Sequence, residues 1–304
     1  MRSWKVLLIC GLLAALPAAW AQEDAPAAPP AAPAEAAASA WSPALTEIDG
    51  LAVEYAVHRV AQPRATLVFE NGLMLTLDTW RAVVAALGDC CNLLAYHRAG
   101  IGRSALAPTL QPPEQAAARL QQLLQQQGLA PPYVLVGHSL GGQYAQLFAR
   151  QYPEQVEGLL LVDALPPGAV KPAADFPWYT RLGLWLFAPA AARREIAGIH
   201  DLGERLLAEP GAFGGPMIRM VALPDPRAAK PEGLVRDLLK GVLYAEDFGV
   251  WAVDPEQAER QLDRLYPQAE LRQLQAHHRV QEAAPEAVVA AIRSLLGRRA
   301  AGPG

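Results

Sequence analysis

One serine stands out because its neighbours could turn a weakly nucleophilic hydroxyl into a catalytic one. Residues 133–136 are an apolar run, the segment Gly137-His138-Ser139-Leu140-Gly141 follows, and residues 143–150 have helical periodicity. A serine at the apex of a strand–turn–helix unit, with a glycine two residues away on each side, is typical of a nucleophile elbow. Side chains at those glycines would collide with the neighbouring strand and helix. We therefore predict that Ser139 is a nucleophile.

A serine nucleophile requires a general base, and histidine suits this role because its ordinary pKa lies near neutral pH. The chain has six histidines. Four of them lie elsewhere in the chain: His58 on an early predicted strand, His97 behind a turn, His138 inside the elbow and His200 in a later helical stretch. The pair His277 and His278 follows the last predicted strand, where a chain order of serine, acid and histidine places the base. No carboxylate or cysteine at ligand spacing accompanies this pair, so we predict no metal site.

The negative charge that develops on a substrate carbonyl needs two backbone N–H donors. The N–H of Leu140 is one candidate, because it lies at the start of the predicted helix and benefits from the helix dipole. The other is the N–H of Leu73 or Met74, which follow Asn71-Gly72. Gly72 would let the backbone approach the substrate oxygen closely. We predict Leu73 and Leu140 as the oxyanion donors, with Met74 as the alternative to Leu73.

Strands and helices must position these residues, and the two alternate along most of the chain. Strands are predicted at 45–50, 51–58, 65–69, 92–96, 133–136, 156–162, 216–223 and 269–274. Helices are predicted at 77–87, 113–127, 143–150, 255–266 and 285–296. The first two strands meet at Asp49-Gly50, which is a hairpin signal. Nearly continuous apolar strands that alternate with helices predict an α/β fold with a mostly parallel central sheet and helices on both faces.

The alternation breaks after Asp163, which ends the sixth predicted strand. Residues 165–215 are rich in proline, alanine and aromatic side chains, and contain a helical stretch at 191–207. An insertion here would lie over the carboxyl ends of the strands, where ligands bind in open α/β sheets. We predict a helical lid over about residues 165–215.

Together with the elbow, three further segments resemble the α/β-hydrolase fold family, in that family's order. FENGLM at 69–74 is similar to its His-Gly-x segment, and YHRAGIGRS at 96–104 is similar to its Tyr-Asp-Arg-x-Gly-x-Gly-x-Ser segment. HHRVQEAAPE at 277–286 is similar to its last segment, in which the catalytic histidine stands seven residues before a proline, as His278 does. Asn71, His97 and His277 depart from the family pattern, which has His, Asp and Gly there. The resemblance implies the family's fold, serine-hydrolase chemistry and His278 as the base, with His277 as the alternative.

Several aspartates could be the acid that orients this base. Asp163 would project from the same sheet edge as Ser139, and some members of the resembled family carry their acid at this place. More often the family places the acid after the next strand, which favours Asp225 if that strand is 216–223 and Asp247 if it is 242–247. Asp254 followed by proline is typical of a helix N-cap. We predict Asp163 and keep Asp247 and Asp225 as alternatives.

The N-terminal region is typical of an export signal. Arg2 and Lys5 precede an apolar stretch at 6–17, and Ala19-Trp20-Ala21 places small residues at the cleavage positions. The apolar stretch is too short for a comfortable membrane span. We predict a signal peptide at 1–21, a periplasmic or secreted mature protein, and no stable membrane span after cleavage. An uncleaved N-terminal anchor is the alternative.

The rest of the chain divides by composition. The Ala/Pro-rich residues 22–44 predict a disordered linker, residues 45–297 the α/β-hydrolase domain, and residues 298–304 a flexible tail. The 304 residues carry a net charge of −4, which becomes −6 without Arg2 and Lys5, and no basic patch. Nucleic acid is therefore excluded as a predicted partner. Cys90 and Cys91 are adjacent, so we predict partly buried thiols and no disulfide framework.

These features predict a serine hydrolase without a cofactor. The expected activity is hydrolysis of a small, partly apolar carboxylic ester, through an acyl-enzyme formed by Ser139, His278 and Asp163. An amidase or thioesterase of the same fold is an alternative, because the elbow serves all three reactions. A catalytically inactive binding protein is another, since a fold does not by itself imply a function.

Overall fold

The structure is a computed structural model that describes residues 41–208, 213–223 and 251–299. Its strands are β1 (Ala44–Ile48), β2 (Leu51–His58), β3 (Thr66–Glu70), β4 (Asn92–Tyr96), β5 (Tyr133–His138), β6 (Val156–Val162), β7 (Met217–Leu223) and β8 (Glu270–Gln275). They form one sheet in the order β1-β2-β4-β3-β5-β6-β7-β8. β2 runs antiparallel to β1 and β4, and the pairs from β4 to β8 are parallel. The predicted α/β class with a mostly parallel sheet is confirmed.

The described helices are α1 (Arg81–Leu87), α2 (Pro113–Gln126), α3 (Leu140–Gln151), α4 (Trp178–Phe187), α5 (Ala190–Ala208), α6 (Pro255–Leu265), α7 (Val280–Ala283) and α8 (Pro285–Arg299). Two apolar clusters place them on the two faces of the sheet. Leu123 of α2, Phe148 of α3 and Leu202 of α5 belong to one cluster, and Val84 of α1 and Ile292 of α8 to the other. Burial of both faces explains why β3 and β5 consist entirely of buried residues.

Local chemistry explains several element boundaries. The β1–β2 hairpin turns at Asp49 and Gly50, whose φ values of 51° and 72° are the two positive angles that a tight hairpin turn needs. The helix predicted over 77–87 is two pieces, a 3₁₀ turn at Leu77–Trp80 that continues into α1. α6 begins as predicted, because Asp254 accepts a hydrogen bond from the N–H of Gln257 and Pro255 occupies the first turn.

The insertion predicted after the sixth strand is present between β6 and β7. Its described part contains two α-helices, α4 and α5, where the sequence had predicted one helical stretch. Only Thr180 of α4 is buried, whereas Trp178, Trp185 and Phe187 are about two-thirds exposed, at 70%, 67% and 68%. α5 buries one side against the body of the protein through residues such as Ile196 and Ile199.

The parallel strands bring the predicted site residues to one edge of the sheet. β3 ends at Glu70, immediately before Asn71-Gly72, and β5 ends at His138, immediately before Ser139. β6 ends immediately before Asp163. Because β3, β5, β6 and β8 are parallel, the turns that follow them lie on the same side of the molecule.

Some predictions fall on residues that the structure does not describe. The signal peptide at 1–21, most of the linker at 22–44 and most of the tail at 298–304 lie outside the described ranges, and so do Asp225 and Asp247. The domain boundaries therefore stay predictions. Within the described ranges, every helix is too short or too polar to cross a bilayer.

Candidate active site

The turn between β5 and α3 has the backbone strain of a nucleophile elbow. Ser139 has φ 51° and ψ −124°, a conformation that side-chain-bearing residues rarely adopt. A Cβ on Gly137 would lie 2.6 Å from the carbonyl oxygen of Gly141, and a Cβ on Gly141 would lie 2.5 Å from that of Asn71. The steric reason for both glycines is thus confirmed. Ser139 is held in place from both sides, since its N–H donates to Val162 O and its carbonyl accepts from Leu165 N–H.

His278 and Asp163 form a hydrogen-bonded pair beside this elbow. The distance from His278 Nδ1 to Asp163 Oδ2 is 2.7 Å. The other carboxylate oxygen of Asp163 accepts the N–H of Ala222 on β7 at 2.9 Å, and the Asp163 N–H donates to Met220 O. Both side chains are about one-fifth exposed, at 23% and 20%, so a substrate could reach the imidazole. Asp163 is therefore fixed to the neighbouring strand and orients the His278 ring.

His138 connects the elbow to the loop that carries His278. Its Nε2 lies 2.9 Å from the carbonyl oxygen of His278, and the two rings are in contact at an angle of 47°, with their centroids 4.7 Å apart. Because that contact is to a carbonyl, Nε2 carries the proton, and Nδ1 is buried without a partner. Burial, together with charge on His278, lowers the pKa of His138 to about 3. His138 is thus a neutral side chain that binds the backbone of His278.

The other histidines have structural contacts. His97 bridges Glu54 and the N–H of Leu77, as expected of a residue behind the Arg-x-Gly turn. Outside that turn, each of three histidines pairs with a single backbone group: His58 with Gly88 O, His200 with Val170 O, and the exposed His277 with Arg279 N–H. Of the six histidines, the structure places only His278 against a carboxylate at the elbow.

The hydrogen bonds of the loop after β3 distinguish between Leu73 and Met74, the two candidates for the second oxyanion donor. The N–H of Met74 donates to Glu195 Oε2 at 3.2 Å, and Met74 has a positive φ of 56°. Since that N–H is engaged, Leu73 is the remaining candidate of the two. Leu140 is the first residue of α3, where backbone N–H groups lack an intrahelical partner. Leu73 thus lies in a loop that adjoins the elbow, since a Cβ on Gly72 would lie 2.8 Å from His138 Nδ1.

Comparison with known proteins decides the family. Residues 65–196 match the family model described as the alpha/beta hydrolase fold. The lipase LipV of Mycobacterium tuberculosis is 32% identical over 211 residues, which cover 59% of this chain and 74% of LipV. The chain belongs to the α/β-hydrolase fold family. Its relatives include proteins named as lipases.

Further similarities to this α/β hydrolase are more partial or more distant. The uncharacterized protein YqjL of Bacillus subtilis is 33% identical over 125 residues, which cover 41% of this chain and 49% of YqjL. This chain thus spans about half the length of YqjL. The enol-lactonase from Burkholderia xenovorans superposes with a TM-score of 0.61 at 15% identity, over 84% of this chain and all of that one. At that identity the likeness shows the fold alone.

A buried charged cluster that the sequence did not predict lies beside the loop after β3, which carries Leu73. Arg98 Nε donates to Glu195 Oε1 at 2.7 Å, and Nη1 lies 3.2 Å from Glu70 Oε2. The guanidinium also stacks over the Tyr144 ring, 4.7 Å from its centroid. Burial opposes the charge on Arg98, but Glu195 and Glu70 raise its pKa above the ordinary value. Arg98 belongs to the segment at 96–104, but its carboxylate partners are 28 and 97 residues away in sequence.

Asn71 shows how this hydrolase accommodates a departure from the family pattern. Its side-chain amide donates to Tyr96 O at 2.8 Å, and its side-chain oxygen accepts the indole N–H of Trp80 at 2.8 Å. Both interactions are buried. The amide therefore joins the ends of β3 and β4 and fixes the loop that carries Leu73.

A mostly apolar pocket of about 100 Å³ lies next to the charged cluster. Arg98, Tyr144 and Glu195 contribute to its wall, whereas Ser139 and His278 do not. Among the described residues, no three His, Cys, Asp or Glu side chains converge so that they could hold a metal ion.

Proposed function

We propose that this α/β hydrolase cleaves small carboxylic esters through an acyl-enzyme on Ser139. The observation that carries the proposal is the 2.7 Å contact between His278 Nδ1 and Asp163 Oδ2, beside a strained serine turn. Asp163 keeps the proton on Nδ1, which leaves Nε2 free to accept the proton of Ser139. The serine oxygen then attacks the ester carbonyl as its O–H bond breaks.

The reaction proceeds through two tetrahedral intermediates. In the first, the negative charge lies on the former carbonyl oxygen, where the N–H groups of Leu73 and Leu140 would stabilise it. Collapse expels the alcohol, which takes its proton from His278. Water then attacks the acyl-enzyme while His278 again serves as the base, and the second intermediate releases the acid and Ser139.

The choice of an ester rests on chemistry and on relatives. An alkoxide is a better leaving group than an amide anion, so an ester demands less of the acid step. LipV is named a lipase, and a structural neighbour from Thermogutta terrifontis is named an esterase. The aromatic side chains of α4, in the insertion, favour a partly apolar substrate. Amides and thioesters remain the alternatives of the same mechanism.

A series of p-nitrophenyl esters of increasing acyl length tests the nucleophile. Wild type should turn over the short esters, and Ser139→Ala should fall to background with unchanged stability, because only a hydroxyl is removed. A fluorophosphonate probe should label wild type and not the variant. Equal background turnover in both proteins at every acyl length would instead support an inactive binding protein. Parallel amide and thioester substrates decide the bond type.

Asp163→Asn tests the acid. The variant should lose activity by about 10⁴-fold, because the amide favours the wrong imidazole tautomer. Asp254→Asn is the matched control, since Asp254 caps α6 and lies outside the proposed site. The control should retain wild-type kcat and lose only a small part of the helix-cap energy, about 1 kcal/mol or less. Near-full activity in Asp163→Asn would transfer the role to Asp247 or Asp225.

We also propose that the protein is exported, on the basis of its N-terminal sequence. Expression of the full chain with a C-terminal tag, followed by cell fractionation and intact-mass measurement, tests this. Soluble periplasmic or secreted protein that begins at Gln22 is the expected result. A full-length chain in the membrane fraction would support the uncleaved anchor.

A further inference from the structure

The guanidinium of Arg98 binds the backbone of the loop after β3, as well as two carboxylates. Nη1 donates to Asn71 O at 2.6 Å, and Nη2 donates to Gly72 O at 3.1 Å. Its Nε is bound to Glu195, and Glu70 lies against Nη1. The Arg98 side chain is only 7% exposed. One rigid planar group therefore binds two consecutive carbonyls of this loop.

The carbonyl of Gly72 and the N–H of Leu73 belong to the same peptide group. That peptide is trans, so its C=O and N–H point in opposite directions. Because the guanidinium holds the C=O, the N–H of Leu73 must point away from Arg98. The positive guanidinium bound to the carbonyl oxygen also polarises the peptide and makes its N–H a stronger donor. Gly72 also adjoins the elbow, since a Cβ there would lie 2.8 Å from His138 Nδ1.

Glu195 binds both this arginine and the next N–H of the loop. Its Oε1 accepts from Arg98 Nε, and its Oε2 accepts from Met74 N–H. Glu195 lies on α5, so the contact joins the helical insertion to the loop after β3. With Met74 engaged, the loop presents a single candidate N–H, that of Leu73. Buried groups in such a network have few alternative arrangements, because each would leave a charge unpaired.

We propose that Arg98 and Glu195 are positioning residues that orient the Gly72–Leu73 peptide so that its N–H faces the reacting carbonyl oxygen. This inference rests on the proposed serine-hydrolase function. It gives the helical insertion a second role, since α5 carries a residue that completes the oxyanion site. Neither side chain touches the substrate in this arrangement, and both act through the backbone of the loop.

A lysine at position 98 would keep a positive charge but not the planar fork that binds two carbonyls. We therefore expect Arg98→Lys to lower kcat by about tenfold to a hundredfold, part of what removal of a whole oxyanion donor costs. KM should change little, because the donor acts mainly in the transition state. A boronic acid that forms a tetrahedral adduct with Ser139 should bind more weakly by a similar factor.

Arg219→Lys is the matched control for the cost of altering a buried arginine. Arg219 is 5% exposed, lies on β7 and pairs with Glu259 and Asp263 on α6. This variant should lose stability and keep kcat and boronate affinity. Glu195→Gln is a second test that replaces a carboxylate with a group of the same shape, and it should lower kcat less than Arg98→Lys.

The outcomes separate the two proposals. Lower kcat and weaker boronate binding in Arg98→Lys, with an unchanged KM and with wild-type kcat and boronate affinity in Arg219→Lys, support the positioning role. If Arg98→Lys does not fold, the same split in Glu195→Gln supports it and wild-type kcat in Glu195→Gln overturns it. Wild-type kcat and boronate affinity in a folded Arg98→Lys overturn it as well, while inactivity of Ser139→Ala still upholds the hydrolase. Full activity in Ser139→Ala would refute the proposed function itself.

Discussion

The substitution His138→Gln should make the protein less sensitive to acid. His138 has a pKa of about 3 in the folded chain because it is buried beside His278, whereas an unfolded histidine has its ordinary pKa near 6.5. Its buried Nδ1 has no partner, so a second proton would find no acceptor. As the pH falls below about 6.5, His138 binds a proton in the unfolded chain but not in the folded chain. The folded state therefore loses stability down to about pH 3.

The size of the effect follows from this difference in pKa. Each pH unit below about 6.5 removes up to about 1.4 kcal/mol, which gives about 2.5 kcal/mol between pH 7 and pH 4.5. Glutamine can keep a side-chain N–H for the carbonyl of His278 and does not titrate. Between those two pH values, His138→Gln should therefore lose about 2.5 kcal/mol less than wild type, whatever its stability at neutral pH.

Urea unfolding of both proteins at the two pH values measures this difference. Carboxylates contribute equally to the two proteins, so they cancel in the comparison. NMR of the imidazole C–H groups adds a direct check, because the His138 signal in the folded protein should not shift between about pH 8 and pH 4.5. Equal acid sensitivity of the two proteins, with a His138 signal that titrates near pH 6.5, would show that the buried imidazole accepts a proton and would refute the lowered pKa of His138.

Two further predictions concern a glycine and a thiol. Gly141→Ala should cost about 1–3 kcal/mol of stability and lower kcat, because its Cβ would clash with the carbonyls of Glu70 and Asn71. Gly198→Ala is the control: nothing lies within 4 Å of its Cβ, so it should be neutral or stabilising by up to about 1 kcal/mol. Chemical unfolding and ester turnover measure both variants, and wild-type stability and kcat in Gly141→Ala would contradict the close contact. Cys90 should react with iodoacetamide with a midpoint near pH 7, because a hydrogen bond from Cys91 lowers its pKa to about 7. Cys91→Ala should raise that midpoint toward about 8.5, and an unchanged midpoint would exclude the thiol pair as the cause.

The sequence predicted the strands and most helices because their signals are local. Periodicity, Asp49-Gly50 and the cap at Asp254 each act within a few residues, and the structure has all three features. α4 was missed because its sequence is apolar on nearly every side, so it shows no helical stripe. The short helix α7 has four residues, which is too few for periodicity to register.

The site divides in the same way. Ser139 and His278 are recognisable from short motifs, and the structure brings Asp163 to His278 across 115 residues of sequence. The alternatives Asp225 and Asp247 lie outside the described residues. Arg98 could be noticed within its motif, but nothing local predicts its partners. Glu195 comes from an inserted helix, and only the packing of α5 against the sheet brings it to the loop.

The uneven burial of the tryptophans gives the insertion an optical signature of its own. Within the described ranges, Trp41, Trp80 and Trp251 are at most 2% exposed, while Trp178 and Trp185 on α4 are about two-thirds exposed. A collisional quencher in water would reach the second group and spare the first. Red-shifted tryptophan emission from α4 therefore distinguishes the insertion from the body of the protein. Movements of the insertion can be followed by this emission in the unlabelled protein.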